Sequence, residues 1–235
     1  RWNRHINNTR RSASARASIS RSRSSGVKLG VAVVSIPADD SRACGDHVLQ
    51  PARWSVTVSP MRVCVVGAGS LGSAIGGTLA AHGNDVVLVT RNRDHVAAIN
   101  ASGLRMNDGE TERVVRVGAA TGYDDLDRVE LAIVLVKSFD TRAAIEAALP
   151  VIGPDTTVLT LQNGVGCEET IADVIGRDRV VAGRTFIGGR IVAPGVVEFG
   201  VEGRRTTIGE LDGSISSRIE QIGATFESAG MAVDI

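Results

Sequence analysis

Lysine is the scarcest charged residue in most of this sequence: after Met61 the chain has 15 arginines and one lysine, Lys137. Cysteine is scarce too, and Cys44, Cys64 and Cys167 form no C-x-x-C pair. A scattered, odd set of cysteines is typical of a reducing compartment, so we expect a cytoplasmic protein. No apolar run approaches the roughly 20 residues of a membrane helix. We therefore predict no membrane segment, and we assign no residue to a metal site.

The first sixty residues differ in kind from the rest. Residues 1–60 carry 10 Lys and Arg and 3 Asp and Glu, a net charge of +7, whereas residues 61–235 carry 16 and 23, a net charge of −7. Residues 1–25 are rich in Arg, Ser and Asn and contain no acid, which predicts disorder. A targeting signal is an alternative, but nucleic-acid binding is not predicted because interleaved aromatics are missing. We favour a leader outside the working protein, with Met61 as the native start.

The strongest motif is G-x-G-x-x-G, which follows the short apolar run Val63–Val66. A helix predicted over 70–82 and a strand predicted over 85–90 come next. In this strand–turn–helix–strand context the motif indicates dinucleotide binding: its glycines permit the sharp turn, the approach of the pyrophosphate and close helix packing. The alternative is a plain turn that binds nothing. Six residues are assigned to cofactor binding: Gly67, Ala68, Gly69, Ser70, Leu71 and Gly72.

The end of the second predicted strand bears on the choice of cofactor. NAD-binding domains usually place Asp or Glu there to bind the ribose hydroxyls. This chain instead has Thr90, Arg91, Asn92 and Arg93, and no acid before Asp94. An arginine in this position can pair with a 2′-phosphate, so Arg91 favours NADPH over NADH. A solvated loop arginine is the alternative.

Two later strand ends carry candidate polar residues. The run Leu131–Val136 is uniformly apolar, which predicts a central parallel strand buried on both faces, and Lys137 follows it. The strand predicted over 156–161 is followed by Asn163 and a glycine turn. Ligands of open α/β sheets bind at these carboxyl ends, so Lys137 and Asn163 are candidates for contacts with cofactor and substrate. A solvent-facing lysine and a turn-forming asparagine are the alternatives.

Alternating strands and helices continue along the chain. They predict an α/β fold, a Rossmann-type doubly wound parallel sheet, over residues 61–235. The remaining predicted helices lie over 94–101, 140–149, 167–175 and 214–229. A hairpin or an irregular strand pair is predicted over 104–117, a hairpin over 191–199, and strands over 179–183, 205–208 and 231–235.

Together these motifs resemble the ketopantoate reductase (2-dehydropantoate 2-reductase) family. The resemblance rests on the segment Met61–Gly72, on Leu-Val-Lys-Ser ending at Ser138, on Gln-Asn-Gly-Val-Gly beginning at Gln162, and on the region from Gly183 through the hairpin at Gly195. It covers residues 61–235 and none of residues 1–60. It implies NADPH-dependent reduction of the 2-keto group of ketopantoate to (R)-pantoate, on the route to pantothenate and coenzyme A.

The resemblance also implies roles for individual residues. The glycine motif would bind the pyrophosphate, Arg91 the 2′-phosphate, and Lys137 would lie near the cofactor ribose and the substrate. Asn163 would bind the nicotinamide end and help to hold the substrate, and Gly189 would place its backbone against the cofactor.

The proton donor of the reaction is expected outside the residues at hand. The resemblance gives this role to a lysine of the family's helical C-terminal domain, which would lie beyond Ile235. Residues 61–235 contain no counterpart of that domain. We therefore assign no catalytic residue and expect NADPH binding with weak or no turnover.

Two other functions remain open. One is a module that holds NADP(H) without reacting, and the other is a nicotinamide-dependent dehydrogenase that acts on a sugar or hydroxy acid. In the favoured interpretation the partner is a small 2-keto acid. The oligomeric state is open, with a homodimer as one option.

Overall fold

The computed structural model describes residues 59–200 and 203–235, so the expectations for residues 1–58 lie outside the described part. The chain first forms a β–α–β unit: β1 is Arg62–Val66, α1 is Ser70–Ala81 and β2 is Asp85–Val89. Strands β1 and β2 pair in parallel from Arg62↔Asp85 to Val66↔Val89. This unit has the order and, within a residue or two, the bounds that the sequence predicted.

The remaining helices and strands alternate only in part, because two runs of four consecutive strands interrupt the helices. The later helices are α2 (Arg93–Ser102), α3 (Thr141–Ala148), α4 (Cys167–Ile175) and α5 (Ser217–Ser228). The later strands are β3 (Leu104–Asn107), β4 (Glu112–Val115), β5 (Gly118–Ala120), β6 (Val129–Val134), β7 (Ile152–Thr160), β8 (Val180–Thr185), β9 (Gly188–Ala193), β10 (Val196–Gly200), β11 (Arg205–Glu210) and β12 (Ala232–Asp234).

Eight strands form the main sheet, in the order β12-β11-β8-β7-β6-β1-β2-β5. The α/β fold with a mostly parallel sheet is confirmed. The order reverses direction between β1 and β6, and a ligand of such a sheet binds at the carboxyl ends of the strands beside that reversal. The glycine turn after β1 and Lys137 after β6 lie at these ends.

The main sheet is not wholly parallel, which corrects the sequence prediction. Strand β11 runs antiparallel to β8, with Ile208 opposite Gly183. No helix lies between β8 and β11; the chain makes the β9–β10 hairpin there instead. A parallel neighbour requires a crossover connection, usually a helix, whereas this strand pair is joined by an excursion through a second sheet.

The second sheet has four strands in the order β4-β3-β10-β9. Both of its hairpins were predicted, but their association was not. It depends on parallel pairing of β10 with β3, in which Val196 lies opposite Arg105. This sheet packs against α1: a Cβ added at Gly77 would lie 2.5 Å from Met106 Sδ. Local sequence patterns carry no information on such a distant pairing.

Helices cover both faces of the main sheet, and β1 shows the two sides directly. Val63 and Val65 belong to one buried cluster, which also contains Ile75 of α1 and Phe226 of α5. Cys64 and Val66 belong to the other cluster, with side chains from α3 and α4. Because successive side chains of a strand point to opposite faces, the uninterrupted apolar run of β1 is explained by burial on both sides.

Two elements have boundaries that shift for local reasons, and one strand was missed. Helix α5 begins at Ser217 rather than 214, because the Ser216 side chain caps it by accepting a hydrogen bond from the Ile219 N–H. Strand β6 ends at Val134 rather than 136, where its last partner on β1 is Val66 and β1 itself turns away. Strand β5 was missed altogether, since three residues of Gly-Ala-Ala give no strand pattern.

The last predicted strand is shorter than expected at both ends. The sequence predicted it over 231–235, whereas β12 is Ala232–Asp234. Its pairing with β11 ends where Asp234 lies opposite Thr207. Ile235 therefore lies outside the sheet, and about half of its surface is exposed.

Candidate functional site

The glycine turn is held by backbone contacts with neighbouring strand ends. The N–H groups of Gly67 and Ala68 both donate to the Val89 carbonyl oxygen, at 3.0 and 2.8 Å. Gly67 has φ +101°, and a Cβ there would lie 2.7 Å from the backbone nitrogen of Val136. A side chain at this position would therefore be strained and would push apart the ends of β1 and β6.

The other two glycines of the motif differ in their surroundings. A Cβ at Gly72 would lie 2.5 Å from the Gly67 carbonyl oxygen, so only glycine lets α1 pack this closely on the turn. A Cβ at Gly69 would meet nothing within 4 Å. Gly69 borders the cavity described below, so the turn presents bare backbone to open space there.

Helix α1 starts at the cavity without a side-chain cap. Its first N–H groups and the positive end of its dipole therefore remain available to an anion. The Ser70 hydroxyl is used elsewhere, because its oxygen accepts a hydrogen bond from the Ile191 N–H at 3.3 Å. A Cβ at Gly189 would lie 2.7 Å from the Ser70 carbonyl oxygen. Strand β9 thus rests directly on the beginning of α1.

A cavity of about 970 Å³ lies along these strand ends. This volume is in the range of small-molecule and cofactor sites. Among the predicted site residues, Ala68 and Gly72 do not border the cavity, being buried beneath the turn. The structure brings the other eight together around it: Gly67, Gly69, Ser70, Leu71, Arg91, Lys137, Asn163 and Gly189.

Ile235, beyond which the resemblance places the proton donor, does not border this cavity. It follows β12, which is the outermost strand at one end of the main sheet, whereas the cavity lies around the ends of the central strands. Lys137 and Asn163 border the cavity, and the location of the proton donor stays a prediction.

Lys137 and Asn163 follow neighbouring strands, and Gln162 joins those two strand ends. The Gln162 amide nitrogen donates to the Val136 carbonyl oxygen at 2.8 Å and to Thr141 Oγ1 at 2.9 Å. These bonds fix the backbone immediately before Lys137. Gln162 belongs to the Gln-Asn-Gly-Val-Gly motif, but no role was predicted for it, because the partner of a side chain that bridges two strands is not visible from sequence.

Arg91 also borders the cavity, in an ion pair that the sequence did not predict. Its guanidinium Nη2 donates to Oδ2 of Asp140 at 2.8 Å. Asp140 ends the single 3-10 turn Ser138–Asp140 that follows β6. The pair therefore connects the end of β2 with the end of β6, across the glycine turn.

His95 links the glycine turn to the second sheet, and it too was missed. The Gly195 N–H donates to His95 Nδ1 at 2.9 Å, which assigns the ring proton to Nε2. Nε2 lies 3.0 Å from Ser73 Oγ, and that hydroxyl donates to the Ala68 carbonyl oxygen at 3.4 Å. Within α2 the buried positions His95, Val96 and Ile99 share one face, which is the signal that could have indicated a buried histidine.

We predict that His95 makes the stability of the fold depend on pH. Burial lowers the pKa of His95 below its ordinary 6.5, so the unfolded chain binds this proton more readily than the folded one. The free energy of unfolding should therefore fall as the pH drops below about 6.5, with a slope of at most about 1.4 kcal/mol per pH unit. Above that pH the contribution is complete.

The measurement is urea unfolding of the wild type and of His95→Gln at several values between about pH 5 and about pH 7.5. His95→Gln removes the titrating group, so its midpoint should change less with pH than that of the wild type, even though the variant is less stable at neutral pH. The same pH slope in both proteins would contradict the prediction.

Two other titratable side chains near the site stay neutral at physiological pH. Burial raises the pKa of the Cys64 thiol to about 12, so it is not an activated nucleophile. Burial, with a smaller contribution from Cys64, also raises the pKa of the Tyr123 phenol, which borders the cavity.

Within residues 59–200 and 203–235 no group of three or more His, Cys, Asp or Glu is placed to hold a metal ion. No helix of the described segments is long and apolar enough to cross a bilayer.

A comparison with protein-family models matches residues 63–213 to a family described as ketopantoate reductase PanE/ApbA. The chain belongs to this family. The match confirms the resemblance drawn from the glycine motif, the Lys137 segment and the Asn163 segment.

Individual relatives agree with the family assignment. The chain is 38% identical over 177 residues to 2-dehydropantoate 2-reductase of Halobacterium salinarum, covering 74% of this chain and 57% of the relative. It is 37% identical over 175 residues to that of Pyrococcus horikoshii, covering 74% and 56%. The crystal structure of 2-dehydropantoate 2-reductase from Geobacter metallireducens GS-15 superposes with a TM-score of 0.68 at 30% identity, covering 74% and 57%. The chain spans a little more than half the length of these relatives.

Proposed function

We propose that residues 61–235 form the NADPH-binding domain of a cytoplasmic ketopantoate reductase. The reaction is reduction of the 2-keto group of ketopantoate to (R)-pantoate, on the route to pantothenate and coenzyme A. The observation that carries the proposal is the bare backbone of Gly69, which faces a cavity bordered by Lys137 and Asn163 on the later strand ends. The nicotinamide cofactor, when bound, supplies the hydride.

The residues of the site fit such a cofactor from one end to the other. The uncapped start of α1 and the open face of Gly69 suit a pyrophosphate. Arg91, exposed beside the end of β2, suits a 2′-phosphate. Lys137 and Asn163 suit the ribose, the carboxamide and the keto acid, with Gln162 holding the backbone before Lys137 in place.

Reduction of a ketone also requires a proton on the oxygen as the hydride arrives. The ammonium of Lys137, which borders the cavity, can hold the keto acid by charge, and it is the only lysine after Met61. The resemblance gives the main proton donor to a lysine beyond Ile235, with no counterpart in residues 61–235. We therefore propose that this 235-residue chain binds the cofactor and turns ketopantoate over weakly or not at all.

The test is a fluorescence titration of the chain with NADPH and with NADH. We expect tighter binding of NADPH, and about tenfold weaker binding of NADPH by Arg91→Ala with little change for NADH, since a charge-assisted contact contributes about 1.5 kcal/mol. Arg142→Ala is the matched control, because Arg142 also pairs with a carboxylate but does not border the cavity. Equal affinity for both nucleotides would refute the role of Arg91, and no binding of either would refute the proposed function.

A further inference from the structure

The carboxylate that β2 lacks at its end is supplied by a different part of the chain. Asp140 follows β6, borders the cavity and reaches across the glycine turn to Arg91, with Oδ2 and Nη2 2.8 Å apart. The adenosine end of the cavity therefore carries both signs of charge. An arginine there suits a 2′-phosphate, whereas a carboxylate there accepts hydrogen bonds from ribose hydroxyls.

The Asp140 side chain borders the cavity and does not cap helix α3, which follows it. Asp140 occupies the N-cap position of α3, where an aspartate side chain commonly accepts a hydrogen bond from a backbone N–H of the first turn. Here its side chain makes no such bond. Among residues 59–200 and 203–235, the Asp140 carboxylate accepts a side-chain hydrogen bond from Arg91.

The side chains of Arg91 and Asp140 also differ in how much room they have to move. The side chain of Arg91 is 88% exposed and that of Asp140 is 28% exposed. A phosphate that arrives at this end can draw the long arginine side chain towards itself, but the shorter, more enclosed carboxylate stays beside the same place. The phosphate then gains Arg91 and meets the repulsion of Asp140.

From this geometry we propose that Asp140 is a cofactor-specificity residue that lowers the preference of the site for NADPH over NADH. The inference rests on the proposed function, because it concerns the same cavity. Asp140 competes with the 2′-phosphate for Arg91 and repels it, and it accepts a hydrogen bond from the 2′-hydroxyl of NADH. The wild-type site thus binds both nucleotides, with a reduced advantage for NADPH.

The test is the dissociation constant of NADPH and of NADH for the wild type, Asp140→Asn and Asp140→Glu. Asp140→Asn keeps the size of the side chain and removes its charge, so it should bind NADPH about fivefold more tightly at about 0.1 M ionic strength. NADH binding should stay the same or weaken about twofold. The gain for NADPH should shrink at about 0.5 M salt because the repulsion is screened, and Asp140→Glu should behave like the wild type.

Asp173→Asn is the matched control. Asp173 Oδ2 lies 2.9 Å from Arg142 Nη2, and neither residue borders the cavity. This variant should change neither constant. Weaker NADPH binding by Asp140→Asn would overturn the proposal by showing that Asp140 positions Arg91 for the phosphate. An unchanged ratio of the two constants, or equal tightening of both nucleotides, would overturn it while leaving the proposed function intact. Binding of neither nucleotide by any of the proteins would refute the proposed function and this inference together.

Discussion

Replacing Gly69 by alanine will leave the fold intact and weaken nucleotide binding about 5- to 150-fold. The backbone of Gly69 has φ −77° and ψ −155°, a conformation that alanine adopts without strain. The added methyl group would meet no protein atom within 4 Å apart from its chain neighbours. Under the proposed function, however, it would stand where the pyrophosphate approaches the turn. Overpacking of a fitted site typically costs about 1–3 kcal/mol, which gives this range of affinities.

Two measurements check the result: titration with NADPH, and the thermal midpoint without nucleotide. Gly209→Ala is the matched control, because a Cβ at Gly209 in β11 would also meet nothing within 4 Å, yet Gly209 does not border the cavity. Both variants should keep a near-wild-type midpoint, and only Gly69→Ala should lose affinity. Undiminished binding by Gly69→Ala would mean that the nucleotide does not pass over this residue.

Replacing Gly67 by alanine, two residues earlier, will instead damage the fold. Gly67 has φ +101°, and its added Cβ would lie 2.7 Å from both the backbone nitrogen and a methyl group of Val136. The backbone strain and the forced separation of two strand ends together should cost about 3 kcal/mol. For a domain of this size that corresponds to a fall of roughly 6–12 °C in the thermal midpoint.

Gly83→Ala separates the two causes. Gly83 also has a positive φ, +88°, but a Cβ there would meet nothing within 4 Å, so only the backbone strain of about 1 kcal/mol applies. Calorimetry or urea unfolding of both variants measures the difference. Equal losses for Gly67→Ala and Gly83→Ala would show that close approach to Val136 contributes nothing.

The sequence predicted those parts of the fold whose causes lie within one or two neighbouring elements. The glycine turn could be predicted because strand, turn and helix follow one another within 20 residues, from Arg62 to Ala81. The position of the cavity followed from the rule for parallel strand ends. Three features could not be predicted: the antiparallel pairing of β11 with β8, the pairing of two hairpins through Val196 and Arg105, and the short strand β5. Each depends on a partner far along the chain.

The candidate site divides in the same way. Lys137 and Asn163 were predicted from their positions after apolar strands, and both border the cavity. Asp140, Gln162 and His95 were missed, because each acts through a partner contributed by another segment. Aspartate before a helix ordinarily indicates a cap, and only the three-dimensional structure shows this carboxylate turned towards an arginine.

The contacts around the glycine turn also set an order in which the site can be completed during synthesis. Ser70 at the start of α1 is held by Ile191, 121 positions later in the chain. The Ala68 carbonyl is reached through Ser73 and His95 from Gly195. Ile191 and Gly195 lie far downstream of the β1–α1–β2 unit, so they leave the ribosome after it, because synthesis begins at the N-terminus. The glycine turn acquires these outer contacts only after the β9–β10 hairpin has left the exit tunnel.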